Sequence, residues 1–82
     1  MTRVLGIDYG DSRVGLSLSD PMQIIAKPFY TLKNDEQLVF NLKKIIDDQN
    51  ISDLVVGYPI GMKGQKTKQT EKVDKFVDTL KV

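Results

Sequence analysis

At 82 residues, with 40% apolar and 28% charged side chains, the chain has room for one globular domain with a marginal core. It contains neither Cys nor His, which excludes disulfide staples, a His-bound zinc centre and a His-dependent triad; any chemistry must use carboxylates, Lys, Arg or hydroxyls. The net charge of +1 divides unevenly, residues 1–62 summing to −2 and residues 63–82 to +3, a mild basic pole near the C-terminus.

Val4-Leu5-Gly6-Ile7 is a short apolar run rich in β-branched residues that ends at Asp8-Tyr9-Gly10. Gly10-Asp11-Ser12 is turn chemistry, because Gly tolerates unusual backbone angles and Asp and Ser bond back to the local backbone. From Arg13 to Ser19 the chain alternates, Val14, Leu16 and Leu18 against Gly15, Ser17 and Ser19, which predicts a second strand and a hairpin. Asp20-Pro21 ends it. Residues 24–32 predict a third strand, with Pro28 either placing it at an edge or interrupting it.

Asn34 reads as a helix N-cap, with Asp35 and Glu36 in the first turn and Gln37 three residues on. Leu38, Leu42, Ile45 and Ile46 repeat at helical spacing, and the helix should fade at Asn50. Leu54-Val55-Val56-Gly57 is a continuous apolar run after a helix, which predicts a buried parallel strand. A loop carrying Pro59, Gly61 and Gly64 follows, and Val73, Phe76, Val77 and Leu80 mark a second amphipathic helix. The order is β-β-β-α-β-α, an α/β mixed sheet in one domain over residues 1–82. The chain stops where a further strand is expected, so the domain reads as incomplete at its C-terminus. No apolar stretch is long enough for a signal peptide or a membrane span, and the expected compartment is the cytoplasm.

The chemistry-bearing segment is Gly6-Ile7-Asp8-Tyr9-Gly10-Asp11-Ser12-Arg13-Val14-Gly15. Asp8 closes an apolar strand, and spacing alone leaves two roles open: a turn-capping aspartate, or a ligand for a hard divalent cation. Gly10 and Gly15 lack side chains, so a phosphate or sugar could approach the backbone closely. Arg13 could be a solvated edge charge or a phosphate contact. Lys63, Lys66 and Lys68, near Gly61 and Gly64, are either a solvated loop or a group of phosphate contacts. Asp11 is expected to form the turn and Asp20 to stop the second strand before Pro21.

This segment, followed by Leu16-Ser17-Leu18-Ser19-Asp20-Pro21, resembles the opening of the YqgF family, and the likeness continues through Lys27-Pro28-Phe29, Leu54 to Ile60, Gly64 and Glu71 to Phe76. The resemblance implies a ribonuclease-H-like fold and a nuclease acting on structured nucleic acid, either four-way DNA junctions or precursor 16S ribosomal RNA. It implies Asp8 as the first catalytic metal ligand, for Mg²⁺ or Mn²⁺, and Arg13 as a basic residue beside the site. It also implies further acidic ligands past Val82, so this chain alone is expected to be inactive. Gly61 and Lys63 stand where the family commonly carries Asn and Asp. A symmetric junction would suit a homodimer. Two rival readings are a non-catalytic unit that binds nucleic acid or a partner, and an actin-like phosphotransferase, whose opening hairpin also carries Asp-x-Gly.

Overall fold

The computed structural model describes residues 2–20, 22 and 26–81. Its elements are β1 (Arg3–Tyr9), β2 (Arg13–Ser19), β3 (Ala26–Lys33), α1 (Leu38–Asp48), β4 (Ile51–Val56) and α2 (Lys68–Leu80), in the expected β-β-β-α-β-α order. The four strands form one mixed sheet in the order β3-β2-β1-β4. β1 pairs antiparallel with β2, and β2 with β3, while β4 lies parallel to β1. This mixed α/β arrangement is that of part of a ribonuclease-H-like fold.

Alternation decides which face of the sheet is covered. Leu5 and Ile7 of β1, Val14 and Leu16 of β2 and Leu32 of β3 are buried in one cluster with Leu38 and Leu42 of α1 and Phe76 of α2. Both helices therefore lie on the same face of the sheet. Residues of opposite parity, Gly6, Asp8, Gly15 and Ser17, point to the other face, which no helix among the described residues covers.

The ends of the elements have identifiable causes. The Ser19 hydroxyl accepts from the Val4 amide at 2.8 Å, which accounts for a buried serine at the end of β2. Asn50 ends α1 in the left-handed region, φ 55°, which Asn tolerates better than most residues, and its carbonyl accepts from Arg3 N–H at 3.1 Å. α2 starts from a capping box in which Thr67 and Thr70 exchange backbone and side-chain bonds, and the buried Thr70 hydroxyl also donates to the Pro59 carbonyl. One side chain thus fastens the preceding loop to the helix start.

Two expectations are corrected and a third is borne out. Asn34 does not cap α1. The helix begins at Leu38, with Gln37 at the cap position and no acidic residue in the first turn. The Asn34 backbone N–H extends the β2–β3 ladder to Ser12, and its side chain donates to the Gly10 carbonyl at 2.7 Å, so its capping capacity is used across the fold. β4 is parallel as expected but runs from Ile51 and is not buried: it is an edge strand, with Leu54 39% and Val55 59% exposed. The third strand lies at the opposite edge, as Pro28 suggested, and it is also irregular there. Leu16 pairs with Tyr30 but Ser17 with Pro28, which leaves Phe29 as an extra, bulged residue. The residues 24 and 25 proposed for that strand lie outside the described residues.

Candidate metal and nucleic-acid site

Asp8 stands one residue before the end of β1, and its side chain is exposed on the open face of the sheet. Its neighbour across the ladder is Gly15. A Cβ built on Gly15 would meet only the Asp8 Cβ, at 3.9 Å, so the missing side chain leaves free space beside the carboxylate. Gly6, Asp8, Gly15, Ser17, Pro28 and Val55 line a shallow depression of about 380 Å³. Among the described residues no Lys or Arg forms a salt bridge with Asp8.

Among the described residues no other carboxylate joins it. Asp11, in the hairpin turn, is bound to Lys72 of α2 at 2.9 Å. Asp20 follows the far end of β2, at the opposite end of the sheet from Asp8. Asp53 pairs with Val4 and so shares Asp8's face, but it is four residues away along the strand direction, roughly 13 Å. Among the described residues, no three acidic side chains gather into a group that could hold a metal. The donor set therefore fits one ligand of a hard divalent cation, which usually takes only one or two protein carboxylates. It does not fit a two-metal centre.

The basic residues fall in different places. Arg13 opens β2 on the Asp8 face and is exposed. The loop after β4 starts beside the site, since Gly57 N–H donates to the Ile7 carbonyl at 3.0 Å. Lys63 is exposed in that loop, and Lys68 opens α2 next to Gln69, whose side chain donates to the Tyr9 carbonyl at 3.2 Å. Lys66 is engaged elsewhere. Its ammonium donates to Asp74 at 3.0 Å and lies 6.0 Å from the Tyr58 ring centroid, and the Tyr58 hydroxyl donates to the same carboxylate. The hydrogen bond from Lys66 holds the Asp74 carboxyl below its ordinary range, and the same contact raises the Lys66 ammonium. This clasp of loop on helix is closed at neutral pH and is lost as acid protonates Asp74.

Gly10 and Gly15 have different reasons to be glycine. A Cβ on Gly10 would lie 2.5 Å from the Arg13 carbonyl oxygen, a backbone atom that cannot turn aside, so the hairpin itself excludes a side chain there. Gly10→Ala is expected to destabilise the fold by about 1–3 kcal/mol. Gly15→Ala should be neutral or slightly stabilising, because a strand interior gains from replacing Gly. Paired urea melts of the two variants check this; equal effects would contradict it.

Sequence reasoning missed Lys33, which pairs with Arg13 across the β2–β3 ladder on the Asp8 face. It also missed that Lys72 closes on Asp11. A run of residues carries no sign of either, since each depends on a contact between distant segments.

The profile of the RuvX family, described as Holliday junction resolvases, matches residues 2–82. A protein of Ruminiclostridium cellulolyticum named as a candidate pre-16S rRNA nuclease is 44% identical over 78 residues, 92% of this chain and 55% of the relative. One of Dictyoglomus turgidum with the same name is 40% identical over 81 residues, 96% of this chain and 57% of the relative. A third, from Chlorobaculum tepidum, is 42% identical over 79 residues, 96% of this chain and 55% of the relative. The chain thus spans a little over half the length of these curated relatives. With a match over nearly its whole length, this chain belongs to the RuvX (YqgF) family.

Proposed function

We propose that the whole protein is a divalent-cation-dependent endonuclease acting on structured or precursor nucleic acid, with Asp8 as its first metal ligand. The observation that supports this best is the exposed Asp8 carboxylate at the end of a central strand, free of any salt bridge among the described residues, beside the space left by Gly15. The family match adds the substrate class: its description names a DNA junction, and the relatives' names a precursor ribosomal RNA.

Asp8 would hold Mg²⁺ or Mn²⁺, which when bound activates water and stabilises charge on the leaving oxygen of a phosphodiester. The chain's own residues then do the positioning. The carboxylate supplies the fixed negative oxygen that a hard cation requires. Gly15 keeps the adjacent ladder position open for a phosphate, and Arg13, on the same face, offsets its charge. Rigid strands hold these groups in place better than loops would. A non-catalytic binding unit is a second reading for this chain by itself, favoured because no metal-holding group of acidic side chains gathers among the described residues.

The experiment compares the whole protein and the 82-residue chain on a labelled four-way DNA junction and a labelled precursor 16S rRNA fragment, in millimolar Mn²⁺ or in EDTA. The whole protein should cut one of them, only with the metal, and the chain alone should cut neither. Metal-independent cleavage by the whole protein would overturn the proposal. Cleavage by the chain alone would show that its one carboxylate suffices, or that two copies complete a site.

A further inference from the structure

The open face of the sheet can be read row by row from the strand pairing. Asp8 faces Gly15, and Gly15 faces Thr31, which makes one row across β1, β2 and β3. The next row toward the hairpin turn holds Arg13 and Lys33, paired across β2 and β3. Their chain neighbours Val14 and Leu32 are buried in the core, so both cations point away from the helices, to the side of Asp8. The row on the other side of Asp8 holds Gly6, Ser17, Pro28 and Val55, with no charge. The face is therefore basic toward the hairpin turn and uncharged in the row on the other side of Asp8, with Asp53 beside Val4 one row further on.

Two cations directly opposite each other in a sheet repel, and such pairs are destabilising unless something offsets them. Both Arg13 and Lys33 are exposed, and among the described residues neither forms a salt bridge with a carboxylate. An anion bridging them would remove the repulsion. Lys33 lies two strands from Asp8, on the order of 10 Å laterally, and one row further on. A phosphate held by the pair would thus be a near neighbour, along one nucleic-acid strand, of a phosphate at Asp8.

We propose that Arg13 and Lys33 form a two-cation clamp for the phosphodiester backbone, and that the substrate strand runs from this clamp over Gly15 to Asp8. The inference rests on the nucleic-acid reading above and adds to it a residue, Lys33, and a direction of approach. The clamp recognises phosphate and not bases, so its contribution is sequence-independent and salt-dependent. Lys27, whose partner Leu18 has the parity of the core residues, falls outside the track, as do Lys43 and Lys44 on α1.

The test is fluorescence anisotropy of the 82-residue chain with a labelled four-way DNA junction and with a labelled precursor rRNA fragment, across a KCl series in EDTA. Working without metal separates the clamp from the chemistry at Asp8. Lys33→Ala, Lys33→Gln and Arg13→Ala should each reduce the log–log salt slope by roughly 0.7–0.9, and the double variant by about twice that. Lys43→Ala/Lys44→Ala, which removes the same charge from α1, should leave the slope unchanged. The probe that shows the loss identifies DNA or RNA as the strand held. A wild-type slope in both Lys33 variants, or an equal loss in the α1 control, would overturn the clamp while leaving the nuclease reading intact. Salt-independent or absent binding of both probes by the wild-type chain would overturn the nucleic-acid reading and the clamp with it.

Discussion

Asp8→Asn is expected to abolish metal-dependent cleavage by the whole protein while leaving its melting curve unchanged. Asn has the shape of Asp but lacks the charge that a hard cation needs. Loss of a residue that merely supports a metal ligand typically costs about 10–100-fold in affinity or activity, so loss of the ligand itself should cost at least that. Stability should hold, because the side chain is exposed and forms no salt bridge among the described residues. Such surface substitutions usually stay within about 0.5 kcal/mol. Asp11→Asn is the matched control: it removes a carboxylate three residues away that is bound to Lys72 and should leave cleavage near wild type. Cleavage at wild-type rate by Asp8→Asn would reduce Asp8 to a turn residue.

Leu42→Ala should give the largest loss of stability. Leu42 is fully buried and packs from α1 into the cluster of Leu5, Ile7, Val14, Leu16 and Leu32. Truncating a buried Leu removes its transfer free energy and leaves a cavity, a combined cost of about 2–5 kcal/mol. A domain of this size has a total stability of roughly 4–12 kcal/mol, so the variant loses a large share of it. Each kcal/mol moves the melting temperature of so small a domain by about 4–8 °C, and the shift should be on the order of 10–30 °C. Phe40→Ala, two residues earlier and 64% exposed, should shift it little. Thermal melts of the two variants separate these outcomes, and a small shift for Leu42→Ala would mean that α1 is not docked through this residue.

What the sequence disclosed depends on how local the cause was. The β1–β2 hairpin was legible because the alternation of Val14, Leu16 and Leu18 and the Gly10-Asp11-Ser12 turn are properties of one short segment. The stripe of α1 and that of α2 were legible for the same reason. The start of α1 was not, because the side chain of Asn34 is drawn to the Gly10 carbonyl, 24 residues away. An apolar run such as Leu54-Val55-Val56 shows a strand but not its place in the sheet, and here it is an edge. The basic residues followed the same rule. Asp74 engages Lys66, which the loop composition did not show, and Lys33 comes beside Arg13 only through β2–β3 pairing that includes a bulge. Asp8 is a candidate from its segment and its resemblance, while the open face around it required the strand order and the helix packing.

The claim that Asp8 holds a divalent cation is tested most directly by titrating Mn²⁺ into the isotopically labelled chain and following paramagnetic broadening of its backbone amide signals. Resonances of Asp8, Gly15 and Ser17 should broaden first, ahead of those on α1, and Asp8→Asn should abolish the selectivity. Broadening centred on Asp47 and Asp48 or on Asp53, unchanged in Asp8→Asn, would contradict it.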